Sequence, residues 1–116
     1  MNLKMIMALV SDEITSEVIE AARNAGATGA TGITGVRGEG LTPEKTFMGL
    51  DLTAQRDVVL FLVADTMARD ILETISAAGK FDDEPGSGIA FQFEIEDAVG
   101  MKTQAPTIMH EIEEQI

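Results

Sequence analysis

The sequence contains no cysteine, no tryptophan and no tyrosine, and these absences exclude several kinds of chemistry. Without cysteine the chain cannot form disulfides, thiolate nucleophiles or Cys-based metal sites. Its only aromatic side chains are five phenylalanines, so the core has to be built mainly from aliphatic residues. The absence of cysteine fits a reducing compartment, and we expect a cytoplasmic protein.

Positive charge is scarce as well. Eight Lys and Arg stand against 20 Asp and Glu, which gives a formal net charge of −12. Because duplex nucleic acid requires a basic surface, we predict no nucleic-acid binding. No apolar run approaches the ~20 residues that span a bilayer, and no signal peptide is apparent, so we expect no direct membrane insertion.

The first half of the chain has the pattern of a strand, a helix and a weak strand. A β-branched and Met-rich run over 3–10 predicts the first strand. Apolar residues at helical spacing follow, and the helix is expected to end at Gly26. Residues 28–36 are rich in Thr and Gly and predict a weak strand with bulges. The candidate helix caps are Ser11, Asp12 and Thr15.

The second half repeats this order. Residues 57–63 predict a strand, and the continuous apolar run over 58–63 indicates that it is buried on both faces. A helix capped by Asp65 or Thr66 follows and ends at Gly79, and residues 88–95 alternate as in a half-exposed strand. The predicted apolar stripe of this helix is Met67, Ile71, Leu72, Ile75 and Ala78.

The two halves match at a constant offset of 53 positions: Val10 corresponds to Val63, and Gly26 to Gly79. A repeated β-α-β unit predicts an α+β, ferredoxin-like fold with a four-stranded antiparallel sheet and two helices on one face. The other sheet face would carry apolar side chains and need a partner, most simply a second copy. We expect residues 1–116 to form a single domain.

Two segments remain outside this scheme. Residues 37–55 carry several glycines and charges and are predicted to form one long loop, a feature that is often functional. Residues 101–116 are expected to form a C-terminal tail, with a short acidic helix over 107–115.

The search for catalytic groups finds little. The single histidine, His110, lies in the acidic tail, and no serine has a plausible triad partner. We therefore predict that the protein is not an enzyme. Three neighbouring acids, Asp82, Asp83 and Glu84, could hold a divalent cation through oxygen ligands, but such runs are more often solvated turns.

Glycine-rich stretches are the remaining signal. They lie at 29–35, 38–40 and 86–88, each at a strand end or in a loop. Successive backbone N–H groups in such turns can bind anions, although glycines also serve tight turns. Three such stretches together favour a binding cleft.

The residues from Gly26 through Gly40 resemble the second strand and loop base of the P-II nitrogen regulatory proteins, in which a Gly-x-x-Gly-x-Thr run leads to a Gly-x-Gly turn. The run from Gly86 to Phe91 is similar to the family's second glycine turn, and Gly79-Lys80 to the end of its second helix. The resemblance covers about residues 5–97 and includes the order of the elements.

This resemblance implies a homotrimer whose sheets face inward and whose intersubunit clefts bind an adenine nucleotide. The long loop, 37–55, is the family's T-loop, which docks on a client such as a membrane transporter or a metabolic enzyme. The loop carrying the second glycine turn is about 79–88. No other cofactor is implied. Carried over by position, the cleft residues are Leu9, Thr31, Arg37, Gly38, Gly40, Val63, Gly86, Ser87 and Gly88.

Several phosphate-binding cations of the family are replaced in this sequence. Ile89 stands where the family has a lysine, Leu41-Thr42 where it has Arg-Gln, and the two arginines after the last strand are absent. Each lost contact is worth ~1.5–3 kcal/mol. We therefore expect a ligand with fewer phosphates, such as AMP, ADP or a cyclic nucleotide. Arg37, Lys45 and Arg56 are the nearest cations that could substitute.

Two alternatives remain open at this point. A trimeric divalent-cation-binding protein of the CutA type shares the architecture and would use acids such as Asp82, Asp83 and Glu84. A small ferredoxin-like enzyme, such as an isomerase or monooxygenase relative, is less favoured because no His or Tyr lies on a predicted strand.

Overall fold

The computed structural model describes residues 2–36, 46–47, 50–51 and 56–100, with the backbone alone at 46, 47, 50 and 51. The four strands and two helices predicted for the two β-α-β units are all present within this part of the chain. In chain order they are β1 (Leu3–Ser11), α1 (Thr15–Asn24), β2 (Ala30–Val36), β3 (Thr46–Phe47), β4 (Leu50–Asp51), β5 (Arg56–Ala64), α2 (Asp65–Gly79) and β6 (Gly88–Glu94).

Four of the strands form one antiparallel sheet in the order β2-β5-β1-β6. The central strands β1 and β5 have bounds that differ by 53 residues at both ends, the offset seen in the sequence. Met7 pairs with Leu60, which is its own counterpart in the repeat. The two halves are therefore related by a pseudo-twofold axis through this pair, and the predicted ferredoxin-like fold is confirmed.

The core lies between the sheet and the two helices, which pack against each other. Equivalent positions of the repeat occupy it: Val10 and Val63 are fully buried, as are Val18 and Ile71. The remaining buried members of the cluster are Ile6, Ala8, Ala22, Ala27, Val59, Phe61, Ala68 and Ile75. Ala78, which we expected on the apolar stripe, is exposed, and Gly79 is buried in its place.

The helix starts differ from the prediction. The N-cap residues are Ile14 and Ala64, and neither makes a side-chain capping bond. The predicted polar caps were wrong because the preceding strands fix where the helices begin: α2 starts directly after β5, and α1 starts after a three-residue turn that follows β1. The predicted end of α1 is confirmed, since Gly26 has φ 116° and the Ala27 N–H donates to Ala22 O at 2.9 Å.

The predicted bulge in β2 is present, because the pairing of β2 with β5 shifts register between Ile33 and Val36, and Gly35 has φ 70°. The prediction of a loop without strands over 37–55 was wrong in one respect, since β3 and β4 pair with each other. The predicted acidic helix over 107–115 and His110 lie outside the described residues.

The sheet face opposite the helices is largely apolar. Pairing places Met7 beside Leu60 and Phe91, and Leu9 beside Val58 and Ile89. Ile33 and Phe93 on the same face are 50% and 46% exposed. The alternate residues of β5 are thus only partly buried in a single chain, whereas its sequence predicted burial on both faces.

Candidate functional site

All four strands of the sheet reach one edge of the molecule, where the long loop leaves and the loop carrying the second glycine turn arrives. Val36 and Ser11 both pair with Arg56, and the Ser11 N–H donates to Ser87 O at 3.1 Å. We call this row of Val36, Arg56, Ser11 and Ser87 the loop end of the sheet. The glycine turn and both stems of the long loop are therefore neighbours through backbone pairing alone.

The second glycine turn is closed by hydrogen bonds within its own loop. The Ser87 N–H donates to Glu84 O at 3.1 Å, and the Ser87 hydroxyl donates to Lys80 O at 3.0 Å. Gly86 has φ 79° and Lys80 has φ 55°, so the chain turns through the left-handed region twice. The backbone is thus held in one conformation, and a rigid turn of this kind can present N–H groups to an anion.

Gly88 has a packing role that the sequence did not reveal. A Cβ at this position would overlap the Phe81 ring and would lie 2.9 Å from Leu9 O. A Cβ at Gly79 would meet the same ring from the end of α2. The Phe81 ring therefore occupies the space that two glycines leave, which ties the end of α2 to the start of β6.

Two charged residues are buried at the loop end. Arg56 is 6% and Asp57 8% exposed. The hydroxyl of Thr15, the first residue of α1, donates to Asp57 Oδ2 at 2.7 Å and also lies 3.3 Å from Ser11 O. This contact joins the start of α1 to the second stem of the long loop.

The structure divides the predicted cleft residues into two groups. Leu9 pairs with Ile89, next to Gly88, so it lies with the glycine turn at the loop end. Val63 is in the core and pairs with Lys4, which is five residues along β1 from Leu9 and hence about 17 Å away. Thr31 is exposed on the edge strand β2, two strands away from Leu9.

Three predicted residues, Arg37, Gly38 and Gly40, lie outside the described part of the chain. Of the substitute cations, Lys45 lies outside it too, whereas Arg56 is at the loop end. Ile89 belongs to the apolar sheet face, where the family pattern has a lysine.

Two of the three acids of the alternative metal site make contacts with other side chains. Ser76 Oγ lies 3.4 Å from Asp82 Oδ2, and Lys80 Nζ lies 3.7 Å from Glu84 Oε1. Among the described residues no three His, Asp or Glu side chains come close enough together to hold a metal ion.

Sequence reasoning missed Phe81 and the Thr15–Asp57 contact. Phe81 is the only aromatic residue in a polar run. Its one signal in the sequence is its position between Gly79 and Gly88. Thr15 and Asp57 are 42 positions apart, and only the strand register brings them together.

The model of the family described as nitrogen regulatory protein P-II matches residues 3–105 of the chain. The chain belongs to the P-II family. The resemblance seen in the glycine motifs is thereby confirmed, and the chain is a P-II-like member of a family of regulatory proteins. No curated protein matches the chain in sequence.

Solved structures of P-II-like proteins share its fold at low sequence identity. CPII of Thiomonas intermedia K12, solved with ADP, AMP and acetate, has a TM-score of 0.66 at 17% identity, covering 86% of this chain and 92% of that one. Its apo form has a TM-score of 0.61 at 16% sequence identity, and the match covers 82% of this chain and 90% of that one. A PII-like signalling protein of Thermus thermophilus has a TM-score of 0.58 at 20% sequence identity, and the match covers 82% of this chain and 91% of that one.

In the described part of the chain, neither α1 nor α2 combines the length with the apolar character needed to cross a bilayer.

Proposed function

We propose that this P-II-like protein is a homotrimeric sensor. It binds an adenine nucleotide with few phosphates, AMP or ADP, in the clefts between subunits. The long loop, 37–55, then reports the bound state to a client protein such as a transporter or a metabolic enzyme.

The observation that carries this proposal is the separation of the predicted cleft residues. Leu9 and the glycine turn lie at the loop end, whereas Val63 lies about 17 Å away along the central strands and Thr31 lies on the far edge strand. One chain cannot bring these groups onto one small ligand. Two chains can bring the glycine turn and Thr31 onto one ligand, if the turn of one subunit faces β2 of its neighbour. Val63 is fully buried and offers no side chain to a ligand in either arrangement.

The apolar sheet face supports a trimer. Met7, Leu60 and Phe91 form a continuous apolar row across three strands, with Ile33 and Phe93 half exposed at its sides. Exposed apolar surface of this kind is typical of an interface with another chain. A cyclic assembly buries the same face of every copy and also places adjacent sheet edges side by side.

The choice of nucleotide follows from the charges. At the start of β6 the side chain after the glycine turn is Ile89, which offers no charge to a phosphate. Of the cations in the described part of the chain, Arg56 lies at the loop end but is only 6% exposed, and Lys80 beside the glycine turn lies 3.7 Å from Glu84. A mono- or diphosphate needs fewer charge-assisted contacts than a triphosphate. That CPII was solved with ADP and AMP is consistent with this choice.

The route to the long loop is short. Ser87 accepts a backbone hydrogen bond from Ser11, and Ser11 pairs with Arg56, where the described chain resumes after the loop. A ligand that orders the glycine turn would therefore act on the loop stem through two backbone contacts.

The test is isothermal titration calorimetry of the purified protein with AMP, ADP, ATP, cyclic AMP and adenosine. We expect AMP or ADP to bind below about 1 mM and more tightly than ATP, a preference that reflects the missing cations. Absence of binding by every nucleotide at that concentration would disprove the nucleotide claim.

A pair of variants locates the site. Ser87→Asp places a negative charge in the glycine turn and should weaken ADP about tenfold or more, which is about 1.4 kcal/mol, and adenosine much less. Ser16→Asp makes the same change on the exposed face of α1 and should leave ADP affinity within about twofold. Equal effects of the two variants would place the nucleotide elsewhere.

A further inference from the structure

A groove on the helical side of the molecule adjoins the proposed intersubunit cleft, and the two share Gly86 and Gly88 of the glycine turn. It has a volume of about 790 Å³ and lies between the second half of α2, the loop over 80–88 and the start of β6. Leu72, Phe81 and Ala90 form its apolar floor. Arg69, Asp82 and Asp83 are among the polar residues of its rim.

The groove exists because the two halves of the repeat differ here. Five residues, 25–29, connect α1 to β2, whereas eight residues, 80–87, connect α2 to β6. The longer connection carries Phe81, whose N–H donates to Ser76 O at 3.0 Å. Because Gly79 and Gly88 leave room for the ring, the floor of the groove is fixed by the same packing that holds the loop.

The rim carries an excess of negative charge. Arg69 Nη2 lies 2.8 Å from Glu73 Oε1, so this pair neutralises itself. Asp82 and Asp83 are exposed and lie beside the Phe81 floor. Lys80 in the same loop lies 3.7 Å from Glu84. An apolar floor beside two carboxylates is complementary to a segment that offers an apolar side chain and a cation together.

We propose that this groove docks a basic, amphipathic segment of a partner protein. An apolar side chain of the segment rests on Phe81, and a Lys or Arg next to it binds Asp82 and Asp83. The volume is in the range that accommodates a few side chains. The inference goes beyond the proposed nucleotide response, because the docking contacts are Phe81, Asp82 and Asp83, which the nucleotide site does not use.

Two other occupants have the wrong charge. The C-terminal segment of this chain carries Glu111, Glu113 and Glu114, which Asp82 and Asp83 would repel. A second copy of the chain has a net charge of −12 and offers little basic surface. Charge complementarity therefore favours a partner of different composition.

The experiment uses the full chain, labelled with ¹⁵N, and two short amphipathic peptides, one of Lys and Leu and one of Glu and Leu. We expect the Lys/Leu peptide to shift the amide resonances of Ala77, Phe81 and Ala90, and the Glu/Leu peptide to leave them unchanged. Asp82→Asn with Asp83→Asn should weaken binding about five- to tenfold. Glu17→Gln with Glu20→Gln removes the same charge from α1 and should change binding less than about twofold.

Several results would overturn the proposal. One is a failure of the Lys/Leu peptide to bind at about 1 mM, and another is an equal loss of binding in the two double variants. Shifts confined to the apolar sheet face would also contradict it. A nitroxide attached to Ile116→Cys, the single cysteine of that variant, should not broaden the groove amides. Broadening there would make the C-terminal segment the occupant.

Discussion

The Phe81 ring lies between Gly79 and Gly88, and it should decide whether a substitution at Gly79 lowers or raises the free energy of unfolding. Gly79→Ala adds a methyl group that overlaps Phe81 Cε1 and lies 2.8 Å from Cδ1. Overpacking of this kind costs about 1–3 kcal/mol. Replacing a helical glycine by alanine returns up to about 1 kcal/mol through helix propensity. We therefore expect Gly79→Ala to lower the free energy of unfolding by about 1 kcal/mol.

Gly88→Ala should be more damaging. Its methyl group would meet the same ring and would also lie 2.9 Å from the carbonyl oxygen of Leu9, which belongs to the central strand and cannot move aside. Replacing a glycine in a strand by alanine gains about 0.5–1 kcal/mol, but the two clashes cost more. We therefore expect the free energy of unfolding to fall by about 2 kcal/mol.

The assay is urea unfolding followed by far-UV circular dichroism, at one protein concentration so that any linked assembly is held constant. Phe81→Leu replaces the ring by a shorter side chain and provides the background for a double-mutant cycle. In that background Gly79→Ala should become neutral or stabilising, because only the propensity term remains. Gly88→Ala should stay destabilising, because the contact with Leu9 O is unchanged.

Gly29→Ala is the matched control, since nothing lies within 4 Å of its added Cβ. We expect it to change the free energy of unfolding by less than about 0.5 kcal/mol. The reasoning is refuted if Gly79→Ala destabilises equally with Phe81 and with Leu at position 81.

Three further predictions follow from other contacts. Thr15→Val removes the 2.7 Å hydrogen bond to the buried Asp57 carboxylate and should lower the free energy of unfolding by about 2 kcal/mol in urea, and no change would mean that the bond is unimportant. Gly26→Ala forces a side chain into φ 116° and should cost about 1–2 kcal/mol in the same assay, whereas a gain in stability would contradict the observed helix end. Leu60→Glu places a charge at the centre of the apolar sheet face and should yield monomers in light scattering, with the exposed-helix variant Thr66→Glu as control; an unchanged mass would exclude this face as the interface.

Much of the fold could be predicted because the strongest signals are local. The apolar runs that become β1 and β5, and the glycine that ends α1, are determined by burial and backbone geometry within a few residues. The constant offset of 53 then pairs the halves, and Met7 opposite Leu60 shows the same symmetry in space.

The errors have a common origin in contacts between distant parts of the chain. Ala64 starts α2 at the last residue of β5, and Ile14 starts α1 three residues after β1 ends, so the strands rather than polar capping residues fix these starts. Ala78 has helical spacing but faces solvent, since the buried surface of α2 is set by how it packs on α1 and the sheet.

The site was predictable in part. The glycine turn at 86–88 was found because its residue types require special backbone conformations, and Gly86 has one. The contact of that turn with Ser11 was not predictable, because only strand register places Ser11 beside Ser87, whereas Arg56 was already expected to be among the nearest cations. The position of Val63, far from Leu9 on the same sheet, also follows only from register.

The central claim is that neighbouring chains share one nucleotide site. Native mass spectrometry of the purified protein, with and without ADP, tests it most directly, because it reports assembly and occupancy together. We predict a complex of three chains of 12.4 kDa each that takes up as many as three ADP molecules. A monomer in both conditions, or a monomer that binds ADP by itself, would contradict the account.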